Sequence, residues 1–144
     1  LRSALVEIHP PSLQAAGLEA ALTDIVAPLS AGDVETTIDV TDEPLPEDVE
    51  RLFYRAAGEA VRNVRRHAAA SKVSIRVWCD NGLARLTVVD DGAGFTAAQR
   101  EQSRAEGHVG LALLEELAAR QGGRLDVGSA PGAGTTFVLE VPTS

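Results

Sequence analysis

The sequence predicts an α/β fold, a two-layer sandwich in which one mixed, mostly antiparallel sheet is covered by about three helices. Three observations predict it. Segments with apolar residues at spacings of three and four are interleaved with short segments of period two. The period-two segments come mostly as adjacent pairs joined by turn residues, which makes hairpins rather than a doubly wound parallel sheet. One sheet and few helices bury their apolar faces most economically as two packed layers.

Taken in order, residues 1–9 read as the last turns of a helix, stopped at His9-Pro10-Pro11 because proline cannot continue the hydrogen bonding. Leu13 to Leu29 reads as one helix with Leu18, Leu22, Ile25 and Leu29 on a common stripe. Val34 to Val40 alternates as a strand, and Asp42 to Asp48, with two prolines and four acids, reads as an exposed loop. Glu47 to Ala69 is the longest helical pattern, with Phe53, Ala57, Ala60, Val61 and Val64 as its apolar stripe. Val73 to Cys79 and Leu83 to Val89 are strands joined through Asp80-Asn81-Gly82, a strong hairpin signal. Gly92 to Val109 is polar and glycine-flanked, and reads as a mobile loop. Gly110 to Gln121 is a helix with Leu111, Leu114, Leu117 and Ala118 inward, ended by Gly122-Gly123. Arg124 to Ser129 and Thr135 to Val141 are the last two strands.

Composition bounds the function. The 144 residues are 44% hydrophobic and 24% charged, which suits one globular domain. Only 3% are aromatic, so Ala, Val, Leu and Ile must build the core. Cys79 is the single cysteine, which excludes an intrachain disulfide and fits a reducing compartment. Trp78 is expected under a helix or at a partial surface. The net charge of −8 disfavours a direct reader of nucleic acid. No run of 18 apolar residues is present to span a membrane. The chain begins at Leu1 without the features of a signal peptide, and reads as an internal segment.

Four constellations carry candidate chemistry. Glu59, Asn63 and His67 are spaced by four, so they lie on one line of the long helix, at the rim of its apolar stripe. A carboxylate and an amide there suit a hydrated magnesium ion, and Arg66 follows to face a phosphate. A solvated helix edge would look the same. Second, Asp90 ends a strand and is followed by Gly92 and Gly94. A partly buried Asp90 would accept a hydrogen bond from an adenine amino group, with the glycines letting the backbone approach the ring; a plain turn is the alternative. Third, Gly107-His108-Val109-Gly110-Leu111 precedes a helix whose first N–H groups would seat a phosphate, or else is a simple hinge. Fourth, Gly132-Ala133-Gly134-Thr135-Thr136 opens a strand, with a threonine hydroxyl in reach of the adenine position, or is a hairpin loop only. Neither a Walker loop nor a dinucleotide-binding glycine pattern occurs.

The four pieces in this order resemble the N, G1, G2 and final Gly-Thr boxes of the gyrase–Hsp90–histidine kinase–MutL ATPases. Glu59-Ala60-Val61-Arg62-Asn63-Val64-Arg65-Arg66-His67-Ala68 is similar to the N box of NarX- and DesK-type sensor histidine kinases. Ile8-His9-Pro10-Pro11-Ser12-Leu13 with Gly17-Leu18-Glu19-Ala20-Ala21-Leu22 is similar to their link from the dimerisation helices. The resemblance implies that residues 1–12 are the tail of that helix and a linker, and 13–144 the ATP-binding catalytic domain. It implies ATP and magnesium as cofactors. Catalysis and magnesium fall to Glu59 and Asn63, and nucleotide binding to Asp90, Gly92, Gly94, Arg66, His67, His108, Gly110, Leu111, Thr135 and Thr136. It further implies transfer of the γ-phosphoryl to a histidine on an upstream helical domain, and then to an aspartate of a response regulator. A cytoplasmic, monomeric fragment without nucleic-acid or membrane contact is expected.

Some residues depart from the family's pattern. His9 stands where arginine is frequent, Leu114 where methionine is, and Glu115-Glu116-Leu117 where a more basic run is. Asp91 replaces a common asparagine, which adds charge beside Asp90. None of His9, His67 and His108 sits as a phosphoacceptor on a helix should, so no autophosphorylation is expected of this chain by itself. The alternatives are a serine-phosphorylating anti-sigma kinase of the same superfamily and a docking module with a decayed site. The intact set of Glu59, Asn63, Asp90, Gly94 and Thr135 speaks against decay.

Overall fold

The computed structural model describes residues 11–65, 70–92, 110–129 and 134–143. They form three helices and five strands: α1 (Pro11–Ala31), β1 (Glu35–Val40), α2 (Glu47–Asn63), β2 (Lys72–Asp80), β3 (Leu83–Asp90), α3 (Gly110–Arg120), β4 (Arg124–Ser129) and β5 (Thr135–Pro142). The sheet order is β1-β2-β3-β5-β4, with β1 parallel to β2 and every other pair antiparallel. The parallel pair needs a crossover, and α2 supplies it. The predicted mixed sheet under three helices is what the chain forms.

The local chemistry accounts for the elements. Asn81 and Gly82 both take positive φ, 53° and 76°, giving the tight β2–β3 turn that matches strand twist. Glu47, Asp48 and Glu50 stand in the first turn of α2 and Arg62 in its last, each complementing the helix dipole. Beyond Asn63 the helix widens to a π-turn at Val64–Arg65. Residues 66–69 of the expected helix lie outside the described residues.

One expectation needs correction. Leu13 to Leu29 is not a single helix, because the chain breaks at Gly17 (φ 86°, ψ 177°), a conformation open to glycine and closed to residues with a Cβ. The helix that packs on the sheet begins after the break. Its stripe is Leu18, Ala21, Leu22, Val26 and Leu29, and Ile25 is only partly covered.

The core lies between the helices and one face of the sheet. Period-two alternation turns Val73, Ile75 and Val77 of β2, Ala84, Leu86 and Val88 of β3, and Phe137, Leu139 and Val141 of β5 toward the helices. Against them α2 sets Val49, Leu52, Phe53, Ala56, Ala57, Ala60 and Val61. The small alanines let α2 approach the sheet closely, and Phe53 fills the space that remains.

The opposite sheet face carries no described helix. There Trp78 is bracketed by the guanidiniums of Arg76 and Arg85, with Cζ at 4.5 and 5.4 Å from the ring centroid. It therefore packs under arginines and not under a helix. Arg85 also pairs with Glu140, which is bridged in turn to Arg124 at 3.1 Å. A depression of about 400 Å³ beside Trp78 is lined by Asp80, Asn81, Gly82, Leu83 and Arg85, at the hairpin end of the sheet. Cys79 is partly buried against the core, and burial raises its thiol pKa, as for a packed residue rather than a reactive thiolate.

Phe53 has no exposed surface. Phe53→Ala is expected to cost about 3–5 kcal/mol, read as a lowered urea midpoint at unchanged slope.

Candidate functional site

Strand parity places the key carboxylate. Ala84, Leu86 and Val88 face the helices, and the fourth position in that series is Asp90. The acid thus ends the central strand inside the core layer, 6% exposed. Its Oδ1 accepts the Gly92 N–H at 2.9 Å, and the Thr135 N–H is a second backbone donor. Burial raises its pKa from the ordinary value; the two N–H groups oppose that rise, and the nearby charge of Asp91 adds to it.

Asp91, one residue on, faces the other way. Its Oδ1 accepts the backbone N–H groups of Ser71 and Lys72, both at 2.8 Å, and its Oδ2 accepts the Ser71 hydroxyl at 2.6 Å. These bonds hold its pKa down to about 2, the Ser71 hydroxyl being the largest cause. The charge that sequence placed beside Asp90 is present, yet it is directed at the start of β2.

Topology gathers the remaining candidates at the same end of the sandwich. Thr135, the first residue of β5, pairs with Asp90 in register. Immediately before it, Gly134 has φ 76°, and a Cβ there would collide with the Asp90 carbonyl. Glycine at this position is what lets β5 begin against Asp90. The start of α2 lies beside the end of α3, where the Gln121 side chain donates to the Asp48 carbonyl at 3.3 Å. From there α2 runs toward Asn63 and the Ser71–Lys72 turn, which touches Asp91. The end of α3 leads through Gly122-Gly123 into Arg124, which pairs with Glu140 at the far end of β5 from Thr135. Because α3 packs back along β4, its first residue, Gly110, lies toward the Asp90 end.

Among the predicted residues, Glu59 and Asn63 are half-buried on the last turns of α2, with Glu59 Oε1 held by Arg62 at 3.1 Å. Gly92 is buried, Leu111 packs partly against the core, and Thr135 is half-buried beside Asp90. Thr136 is not brought to this group. Alternation turns its exposed side chain to the sheet face away from the described helices, opposite Val89. Arg66, His67, Gly94 and His108 lie outside the described residues, as does most of the expected loop from Gly92 to Val109. Sequence reasoning missed the Ser71–Lys72 anchor of Asp91 and the pressure of Gly134 on Asp90. The second had a signal, a glycine directly before a strand threonine; the first had none.

The donor set suits a small polar ligand with a metal. One buried carboxylate can take an amino group, and the amide and carboxylate on α2 supply oxygen to a cation that keeps most of its waters. No three His, Cys, Asp or Glu residues cluster as an all-protein metal cage among the described residues.

A two-layer sandwich with a buried acid at the end of its central strand, a helix start opposite it and a glycine-threonine strand start is the frame of a nucleotide-binding domain. A profile of the histidine kinase-, DNA gyrase B- and HSP90-like ATPases matches residues 47–144. The chain belongs to that family, and it is an ATP-binding domain of the histidine-kinase kind. It is 38% identical over 141 residues to the sensor histidine kinase MctS of Rhizobium johnstonii, covering 96% of this chain and 30% of the relative. It is 32% identical over 143 residues to the sensor histidine kinase LiaS of Bacillus subtilis, covering 99% and 39%. The chain thus spans well under half the length of these relatives. In fold it is similar to the histidine kinase domain of a blue-light activated histidine kinase from Erythrobacter litoralis. The TM-score is 0.74 at 22% identity, over 89% of this chain and 60% of that one.

Two outcomes follow for the site. Gly134→Ala is expected to cost more than about 1 kcal/mol by urea unfolding, since it adds a positive-φ penalty to the collision with Asp90. The pH dependence of Asp90 has a definite sign. Its pKa is higher folded than unfolded, so its charge weakens the fold at neutral pH. Asp90→Asn, which keeps an oxygen for the Gly92 N–H and removes the buried charge, should raise Tm at pH 7. The gain should vanish below about pH 4, where the unfolded carboxyl is protonated as well.

Proposed function

We propose that this chain is the Mg-ATP-binding catalytic domain of a sensor histidine kinase. It would supply the γ-phosphoryl that a histidine on a helical domain outside this chain receives, for relay to a response regulator. The observation that carries the reading is Asp90, a buried carboxylate at a strand end, held by two backbone N–H groups and facing the converging ends of α2, α3 and β5. Membership of the ATPase family and the sensor kinases among its relatives support it. They lend nothing to the serine-kinase or docking-module alternatives.

In this reading Asp90 takes the adenine amino group, and Thr135 flanks it. Gly92 and Gly94 let the backbone approach the ring. Gly110 and Leu111 at the start of α3 offer backbone N–H groups to the phosphates, and His108, Arg66 and His67 complete the surround. Asn63 with Glu59 would hold magnesium, which would supply positive charge against that of the phosphates. Transfer forms a phosphorus–nitrogen bond on the acceptor imidazole as the bond to the departing ADP oxygen breaks. The domain's own contribution is position and electrostatics rather than covalent participation. Residues 1–12 would be the linker and 13–144 the domain. The working unit would be cytoplasmic and monomeric in isolation. No helix among the described residues is long and apolar enough to cross a membrane.

Calorimetric titration with ATP, with and without magnesium, tests the reading. Saturable binding enhanced by magnesium is expected. Asp90→Asn should weaken every adenine nucleotide by about 1–3 kcal/mol, the worth of one hydrogen bond to a charged group. Asn63→Ala should spare metal-free ADP binding and remove the magnesium enhancement. Full magnesium enhancement in Asn63→Ala would remove that residue from the metal site, and unchanged affinity in Asp90→Asn would remove Asp90 from the adenine.

A further inference from the structure

The bonds made by Asp91 reach beyond its own strand. Ser71 and Lys72 stand eight and nine residues beyond Asn63, the last residue of α2, and Asp91 directly follows Asp90. One exposed carboxylate therefore fastens the chain leaving α2, which bears Glu59 and Asn63, to the end of β3, which bears Asp90. The contact is doubled by the backbone, since the Asp91 N–H donates to the Lys72 carbonyl at 3.3 Å. It extends to the sheet edge as well, where the Glu35 N–H donates to the Ser71 carbonyl at 2.8 Å. On its other side Asp91 leads straight to Gly92, whose N–H holds Asp90 Oδ1. Its Cα lies 3.2 Å from where a Cβ on Gly134 would stand.

We propose that Asp91 is a positioning residue of the nucleotide site. It fixes the spacing between the α2 half and the Asp90 half without touching ligand. The proposal rests on the reading of Asp90 as the adenine acceptor. The geometry also says which side chains can do this work. Two of the three bonds converge on Oδ1, so an asparagine oxygen there keeps both. An asparagine Nδ2 in place of Oδ2 can donate to the Ser71 oxygen, reversing the third bond without losing it. Charge at position 91 is thus dispensable and shape is not. Alanine removes all three bonds and leaves two backbone N–H groups to water.

The test compares Asp91→Ala, Asp91→Asn and Ser71→Ala with the wild-type chain in two measurements. The first is affinity for ATP and ADP. Asp91→Ala should bind both about tenfold or more weakly, as expected when the support of a binding group is removed, and Asp91→Asn should stay within about threefold of wild type. Ser71→Ala, which loses one bond of three, should fall between them and remains usable if Asp91→Ala does not fold. The second is hydrogen exchange of the Gly92 amide without nucleotide. It should quicken in Asp91→Ala and Ser71→Ala and hold at the wild-type rate in Asp91→Asn. Wild-type affinity in Asp91→Ala, or losses in Asp91→Asn as large as those of alanine, would overturn the proposal. So would Gly92 exchange unchanged in both Asp91→Ala and Ser71→Ala. If the wild type bound no adenine nucleotide, the reading of the site would fall, and Gly92 exchange alone would still decide whether Asp91 holds the Asp90 turn.

Discussion

Keeping a carboxylate inside the core layer at the end of a strand is the constraint on which the rest of this domain turns. A buried charge without partners is too costly to persist, and burial does push the Asp90 pKa upward. Two backbone N–H groups, of Gly92 and Thr135, oppose that rise. Neither donor is there by local propensity. The Thr135 N–H is available because β5 begins in register with the last residue of β3, and that register requires a glycine at position 134. The Gly92 N–H is available because the chain turns immediately after Asp91. The sheet's pairing, one glycine and one turn therefore together supply the partners of a single buried acid. In return, a hydrogen bond made by that acid to a ligand is worth more than it would be in water.

The connectivity gives the described residues two distinct ends. At one end Gln121, directly after α3, bonds to Asp48 in the first turn of α2. There too the Thr143 N–H and hydroxyl both reach the Gly82 carbonyl, closing the C-terminal strand on the hairpin. At the other end α2 finishes, α3 begins, β3 finishes and β5 begins, and these residues carry the candidate chemistry. Such polarity follows from a parallel β1–β2 pair with a helical crossover beside an antiparallel set. Element ends alternate from one side to the other, and helix and strand termini with opposite chain directions meet. Packing along the length of the helices stabilises the domain, while the second end carries the candidate site.

Most of this architecture is legible in the sequence because it rests on short-range rules. Asn81-Gly82 announces the hairpin, Gly122-Gly123 ends the last helix, and the stripe through Phe53 and Val61 marks the face of α2. Parity alone takes Asp90 inward, since it continues the series Ala84, Leu86, Val88. The same parity sends the Thr136 side chain to the other face from Asp90, which the motif shows only once positions are counted along the strand. The break at Gly17 is hidden because a glycine within a good apolar period is compatible with either an unbroken helix or a kink, and only the tertiary packing of Leu18 and Leu22 decides. The neighbours of Trp78 are hidden for a related reason. Arg85 faces it across the β2–β3 pair and Arg76 stands two residues before it, and alternation marks that face as outward without saying what packs on Trp78 there. Of the candidate site, the residue types and their order are legible. The Ser71–Asp91 contact joins residues 20 apart, between elements whose adjacency is known only once the sheet is formed.

Asp90 and Asp91 show how far one step along a strand separates two chemically identical groups. The first points into the core layer, with two backbone donors on a carboxylate able to accept about four hydrogen bonds, so capacity remains for a ligand. The second points out, and its acceptor capacity is largely spent within the protein, on Ser71 and Lys72. Burial raises one pKa; donors lower the other, because Asp90 ends β3 inside the core layer and Asp91 lies just beyond it against Ser71 and Lys72. The two roles cannot be exchanged by swapping side chains, because the side chains are already the same. They could be exchanged only by shifting the register of β3, and the eight pairs that β3 makes with β5 forbid that, since a one-residue slip would turn Leu86 and Val88 to solvent along with Asp90. The apolar core thus fixes which acid points into the core layer and which acid points out to Ser71 and Lys72.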